Sequence, residues 1–166
     1  MVQRDSLGLS SEVDVRPECL AQLSAALRGK DTAISHYSRG PLVCEDRACL
    51  IVALEEMGFH PEYHDAPQRL VGFQGDHRAD RAHVIIRRAE VGHASNDIGF
   101  FFKDDGTCET IVSDYDRGRY GATWTGKVQQ MTAKHVALAK AAALGHRAEA
   151  RVDEQGRVRV RITGNL

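Results

Sequence analysis

Apolar residues along this chain follow two periods, and the expected structure changes where the period changes. Leu20, Leu23 and Leu27 form one stripe after Pro17, which predicts a short helix over residues 17–28 that Gly29 ends. Leu50, Ala53, Leu54 and Met57 fall at i, i+3, i+4 and i+7 and predict a helix over residues 46–57. Glu45 and Asp46 lie where the positive end of the helix dipole favours acids; Gly58 is the expected cap, and Pro61 prevents continuation. The longest helix is expected over residues 126–144. Its buried stripe would be Val128, Met131, His135, Leu138 and Ala142, with Thr125 as N-cap and Gly145 as stop.

Elsewhere the period is two. Residues 33–37 read as a short strand followed by a turn at Arg39-Gly40-Pro41. Residues 70–74 and 82–88 read as strands joined by a polar loop over 75–81, and residues 98–103 and 107–114 as a hairpin. Asp105-Gly106 is its turn, read as a two-residue type I′ loop. Phe100, Phe101 and Phe102 place aromatic rings on both faces, as in a central strand covered on two sides.

The last 20 residues form a second hairpin whose register follows from the side-chain pattern. A three-residue loop, Glu154-Gln155-Gly156, sets Val152 opposite Val158, Ala150 opposite Val160 and Ala148 opposite Ile162. The other face then pairs Asp153 with Arg157 and Glu149 with Arg161, and leaves Arg151 opposite Arg159 as a mismatch. Residues 1–14 lack periodicity and read as a mobile start. The fold class expected is α+β: a mostly antiparallel sheet of about six or seven strands, two main helices packed on one face, and an extra N-terminal helix. Residues 1–32 form an N-terminal extension and residues 33–166 a single domain.

Charge and composition narrow the function classes. The chain of 166 residues carries 22 Lys+Arg against 23 Asp+Glu, a net −1, which excludes holding DNA by bulk attraction. No run reaches the ~18–20 apolar residues of a membrane helix, and Arg4 and Asp5 stand where a signal peptide needs an apolar core, so a cytoplasmic protein is expected. Cys19, Cys44, Cys49 and Cys108 read as thiols there, and the absence of a CxxC leaves a zinc knuckle unsupported. Eight histidines, all protonated, would carry the net charge from −1 to +7.

Candidate chemistry is sparse. His60 and His64 are four apart around Pro61, a spacing of ~13 Å in an extended segment, too long for one zinc. His77, His83, His93 and His146 read as solvated surface histidines, and His135 as a hydrogen-bonded histidine on a buried stripe. Ser35 and His36 are adjacent, so in a strand they point to opposite faces and form no dyad alone. GxSxG, HExxH, GxGxxG and GxxxxGK[ST] are absent. Arg157, Arg159 and Arg161 alternate on the last strand and are a candidate nucleic-acid face, weakened by the acids across from two of them.

Several short motifs, in order over residues 35–162, resemble an uncharacterised family. They are Ser35-His36-Tyr37, the helix with Leu50, Ala53, Leu54 and Gly58, and Val71-Gly72-Phe73-Gln74-Gly75. Residues 82–87, Asp97-Ile98-Gly99-Phe100, Asp105-Gly106, Asp114 and the closing hairpin complete the series. The family is the domain of unknown function typified by hypothetical chloroplast open reading frame thirty-five, found in algal plastids, cyanobacteria and other bacteria. Two departures stand out: the added N-terminal segment, and Ala133-Lys134-His135 where the family tends to have Gln-x-Tyr. The resemblance implies a small soluble accessory protein. The absence of any catalytic signature, the near-neutral charge and the added N-terminal helix favour one that acts through an unidentified protein partner; no cofactor is expected, and no catalytic residue is assigned. Polar residues shared with the family pattern, His36, Gln74, Asp97 and Asp114, are the candidate functional patch. The alternatives are an enzyme or metal-binding site around His36, Asp97 and Asp114, and RNA binding through the terminal hairpin. Nucleic acid is the less favoured partner, and nothing points to a membrane.

Overall fold

The computed structural model describes residues 10–14, 37–44 and 46–164. Among these, eight strands form two antiparallel sheets. The five-stranded sheet has the order β2 (Tyr37–Leu42), β6 (Cys108–Ser113), β5 (Ile98–Phe102), β4 (His77–Ile86), β3 (Glu62–Val71). The second sheet has the order β1 (Ser10–Asp14), β8 (Val158–Thr163), β7 (Arg147–Val152). The α+β class holds, but the single sheet expected from the sequence is two. The terminal hairpin packs on the long helix α4 (Ala122–Ala143) instead of extending the first sheet. Val158 and Val160 are buried on β8, and Ala141 is the small buried residue near the end of α4.

Helix α1 (Arg47–Glu56) forms where its apolar stripe predicts. Asp46 caps it, accepting a hydrogen bond from Cys49 N at 3.0 Å. Leu50, Ala53 and Leu54 are fully buried, and α1 lies against α4. The main core joins Leu50, Leu54 and Val128 from the helices to Val84, Ile86 and Phe100 from the sheet. Phe59, Tyr120 and Trp124 close it with edge-on ring contacts, 5.1 Å between the Tyr120 and Trp124 centroids. Short helices α2 (Arg88–Val91) and α3 (Arg117–Tyr120) were not foreseen.

The opposite face of the sheet is also covered. Leu70, Ala82, Ile85 and Ile111 form a second cluster, with Tyr37 and Phe101 against it. This bears out β5 as a central strand with rings on both faces. Gly99 makes the cover possible: a Cβ there would lie 2.7 Å from that of Ala82 and 3.0 Å from Leu70 Cδ2.

Several boundaries differ from expectation for identifiable reasons. Arg39-Gly40-Pro41 continues β2 instead of turning. β2 is an edge strand, where a proline lacking its N–H is tolerated, and Pro41 stands opposite Glu109. β3 and β4 are longer than their apolar parts suggest, and residues 77–81 are strand rather than loop. Two register shifts break the pairing between Tyr63 and Gln68 and between Arg69 and Val71, so no clean alternation marks them. The Asp105-Gly106 turn is a three-residue loop: Lys103 pairs with Thr107, and only Asp104, Asp105 and Gly106 lie between. The β3–β4 and β7–β8 hairpins use the same loop, with Gly75, Gly106 and Gly156 at φ of 82°, 82° and 75°.

α4 begins at Ala122 with Gly121 as N-cap, so Thr125 is inside the helix. Its buried positions are Val128, Thr132, Lys134 and Ala141, while Met131, His135 and Leu138 are only half-buried and Ala142 is exposed. The stripe rotates because α4 has two partners, α1 on one side and the β7–β8 hairpin on the other. Ser10–Asp14, read as part of a mobile start, is strand β1 beside β8. The helix expected over residues 17–28 lies outside the described residues. In the terminal hairpin every expected pair is present, from Val152 opposite Val158 to Arg151 opposite Arg159.

Candidate functional site

Three of the four residues proposed as a patch are described; His36 lies outside the described residues. Gln74 is exposed in the loop of the β3–β4 hairpin. Asp97 is fully buried just before β5. Asp114, after β6, is exposed and engaged by Ser38 Oγ at 3.0 Å and by Arg117 at 2.8 Å. The structure brings Asp97 and Gln74 to one hairpin, and Asp114 bonds to neither.

Asp97 pins that hairpin. Its Oδ2 accepts from Val71 N and from Arg87 Nη1, both at 2.8 Å, and its Oδ1 accepts from Arg88 N at 2.8 Å. Its own N–H donates to Val71 O at 3.0 Å. The next residue back, Asn96, accepts from Phe73 N at 3.1 Å, and Arg88 Nη1 donates to Phe73 O at 2.6 Å. A buried carboxylate is stable when its lone pairs are filled and a cation lies beside it, and both conditions hold here. The loop is thereby held at its base while Phe73 and Gln74 stay exposed. Gly72 lies buried at that base, and a Cβ on it would run into the Asp76 carboxylate and the Arg78 guanidinium.

Behind Asn96 lies a second buried network. Asn96 N and Nδ2 donate to Asp116 Oδ2 at 3.0 and 3.3 Å, and Nδ2 also donates to Ser113 Oγ at 3.0 Å. Burial pushes the Asp116 carboxyl up, but hydrogen bonds from Ser113, Ser95 and Asn96 outweigh it and hold the group below the usual carboxylate range. This network is the foundation on which the hairpin base rests.

Between the hairpin and the first residues of α2 is an open cleft of about 740 Å³. Arg69, Arg81, Arg87 and Arg88 line it, together with His64 and Asp97. Glu62 and Asp97 both engage Arg87, and the Arg87 guanidinium holds the Glu62 carboxyl below its ordinary value. Arg69 and Arg81 stand directly opposite each other on β3 and β4. Arg81 reaches only the Pro67 carbonyl, at 3.3 Å. The sequence reading missed these arginines. The available signal was a basic residue in each of two neighbouring strands plus the Arg87-Arg88 doublet, but their convergence depends on a register that the side-chain pattern does not mark.

The arginines of the last strand have different surroundings. Arg157 Nε donates to Asp153 at 2.7 Å and Arg159 Nε to the same oxygen at 3.3 Å. Arg161 stands between Glu149 on β7 and Glu12 on β1 in the backbone register, and Arg159 has Asp14 opposite on β1. Arg151, across from Arg159, turns to Glu149 at 3.3 Å. The backbone N–H of Arg157 is foremost in lowering the Asp153 carboxyl to about 2, with the Arg157 and Arg159 side chains adding to it.

Among the described residues no group of three or more His, Cys, Asp or Glu is placed to hold a metal ion. His60 and His64 sit beside Glu90 and Glu62, respectively. His83 is not a surface histidine. It is buried, its Nδ1 accepts from Phe102 N at 3.1 Å, and its ring lies 5.1 Å from that of Phe101. Burial, then the nearby Arg47 charge, pulls its pKa below the ordinary value. Cys44, Cys49 and Cys108 are buried, and burial pushes the Cys49 and Cys108 thiols up, so those two are poor nucleophiles. Lys134 and His135 both bond to Glu56 of α1, the latter at 2.7 Å, so the departure from the family pattern there is a helix–helix tie.

A family model described as "Protein of unknown function (DUF1257)" matches residues 53–161. This bears out the family identified from the motifs; Ser35-His36-Tyr37 falls before the matched segment. Neither the curated proteins nor the solved structures contain a match. No helix among the described residues is long and apolar enough to cross a membrane.

Proposed function

The chain belongs to the DUF1257 family, proteins of unknown function, and we propose that it is a small non-catalytic accessory domain that binds a protein partner through the β3–β4 hairpin. One observation carries this reading. The hairpin loop is tied at its base by Asp97, Asn96 and Arg88, yet it leaves Phe73 and Gln74 in solvent. A loop fixed by hydrogen bonds at its base loses little conformational entropy on binding, and an exposed aromatic beside an amide suits protein recognition. Among the described residues, groups an enzyme could use have structural roles. Asp97 accepts three hydrogen bonds, His83 accepts one in the core, and the buried thiols are raised. RNA binding through Arg157, Arg159 and Arg161 is weakened by the acids that flank β8 on both sides.

The test is co-purification from the native host with the full chain, with Phe73→Ala/Gln74→Ala, and with Val152→Ala as a surface control. The reading expects a specific protein recovered with the parent and the control and lost with the loop variant. Recovery of the same proteins by all three, or of none, contradicts it.

A further inference from the structure

The arginines of the cleft are poorly matched by acids, and the mismatch is local. Four guanidinium groups line the cleft against one carboxylate, Asp97, and Arg87 engages both it and Glu62 beside the cleft. Asp97 is fully buried and also accepts from two backbone N–H groups, those of Val71 and Arg88. Arg69, Arg81 and Arg88 therefore have no carboxylate partner among the described residues. Arg69 and Arg81 form a cross-strand pair, and like charges directly opposite each other destabilise a hairpin. On β8 comparable arginines lie next to acids, so the fold compensates such charge elsewhere.

We propose that this cleft is a binding site for a small phosphorylated molecule, whose phosphoryl group is held by Arg69, Arg81 and Arg88. The geometry distinguishes the ligand class. A carboxylate is satisfied bidentately by a single guanidinium, whereas a phosphoryl group offers three acceptor oxygens and nearly two charges, which suits three arginines. The volume, about 740 Å³, is that of a small-molecule pocket, which typically spans roughly 300–1,000 Å³. Val71 and Ala89 supply apolar wall for the rest of the ligand. Asp97 anchors one wall of the cleft, accepting from the Arg87 guanidinium and from the backbone N–H of Arg88. Phe73 and Gln74 are not part of its lining, so the loop variant of the partner test and the Arg69/Arg81 variants of the cleft report on different side chains.

Calorimetric titration at fixed ionic strength tests it, with inorganic phosphate, pyrophosphate, ADP and citrate as probes. Proteins to compare are the parent, Arg69→Gln/Arg81→Gln, Arg69→Lys, and Arg151→Gln as a surface control. Pyrophosphate or ADP should bind the parent and the control, and bind the double variant more weakly by about tenfold or more. Arg69→Lys, which keeps the charge but loses the fork, should fall between. Without ligand the double variant should melt no lower than the parent, because it removes a like-charge pair. Tighter binding of ADP than of phosphate would identify an organic phosphate; equal binding would identify the free anion. Citrate bound as tightly as pyrophosphate, equal binding by parent and double variant, or no binding of any probe would overturn the proposal.

Discussion

Two hairpins of this protein share one loop and differ in almost everything else. β3–β4 and β7–β8 both close with three residues and a glycine at positive φ, Gly75 and Gly156. The β7–β8 hairpin is regular: its pairing runs without a shift from Arg147 opposite Thr163 to Val152 opposite Val158. The β3–β4 hairpin shifts register twice and folds Leu70 onto the second face of the sheet. Charge divides them as well. The β8 arginines have acids beside or opposite them, whereas Arg69 and Arg81 have each other. A hairpin whose pairing and packing agree, as β7–β8 does against α4 and β1, can be regular. One bent against its pairing needs an external tie, here Asp97, and that tie leaves a cleft lined with unmatched cations.

The tie is where the comparison can be broken with the largest effect. Asp97→Ala leaves Arg87 Nη1 and the N–H groups of Val71 and Arg88 without their acceptor. Removing one partner of a buried pair costs about 3–5 kcal/mol, so this variant should show a loss of that size in denaturant unfolding. Amide exchange should quicken at Val71 and Phe73 and stay unchanged in β7–β8. A loss under about 1 kcal/mol would mean the hairpin holds itself.

His83 on β4 gives a second, smaller contrast. Its folded pKa lies below the ordinary value, so as pH falls the unfolded chain takes up the proton first. Stability from this residue is therefore complete above about pH 6.5 and is lost as pH falls from there toward the folded value. His83→Ala should cost about 1–3 kcal/mol at neutral pH, because Phe102 N loses its acceptor, and should remove that part of the acid slope. The corresponding group in the other hairpin, Asp153, keeps its charge until pH approaches about 2, so β7–β8 should retain its ties to much lower pH. Unfolding curves between pH 7.5 and 5 for the parent and His83→Ala check the first part. Parallel curves would contradict it.

The smallest effect sharpens what the hairpins share. A Cβ at Gly75 or Gly156 meets no atom within 4 Å, so only the positive φ opposes a side chain. Gly75→Ala and Gly156→Ala should each cost about 1 kcal/mol, and equally. Thermal melts that differ between the two would show that the loops, and not only their anchors, are different.

The same contrast explains how much of the molecule is legible in its residues. β7–β8 could be registered from alternation alone, because Val158 and Val160 face a helix and Arg157, Arg159 and Arg161 do not. α1 was legible for the same reason, with one buried stripe and a capping Asp46. β3 and the start of β4 were not, since residues 62–69 have little apolar alternation, their pairing shifts register, and the end of β3 is tied at Val71 to Asp97, 26 residues on. α4 was located but its buried face misjudged, because two partners share it. Family resemblance marked Asp97 and Gln74 without saying why. Their connection is a set of long-range hydrogen bonds to Val71, Arg87 and Arg88, and the arginine cleft follows only once those are in place.

The difference between the two sets of arginines is most directly tested by a pyrophosphate titration followed by amide chemical shifts. The account predicts shifts confined to the walls of the cleft, at Arg69, Arg81 and residues 87–89, with Arg157, Arg159 and Arg161 unmoved. Equal responses from the β8 arginines, or no response in the cleft, would contradict it.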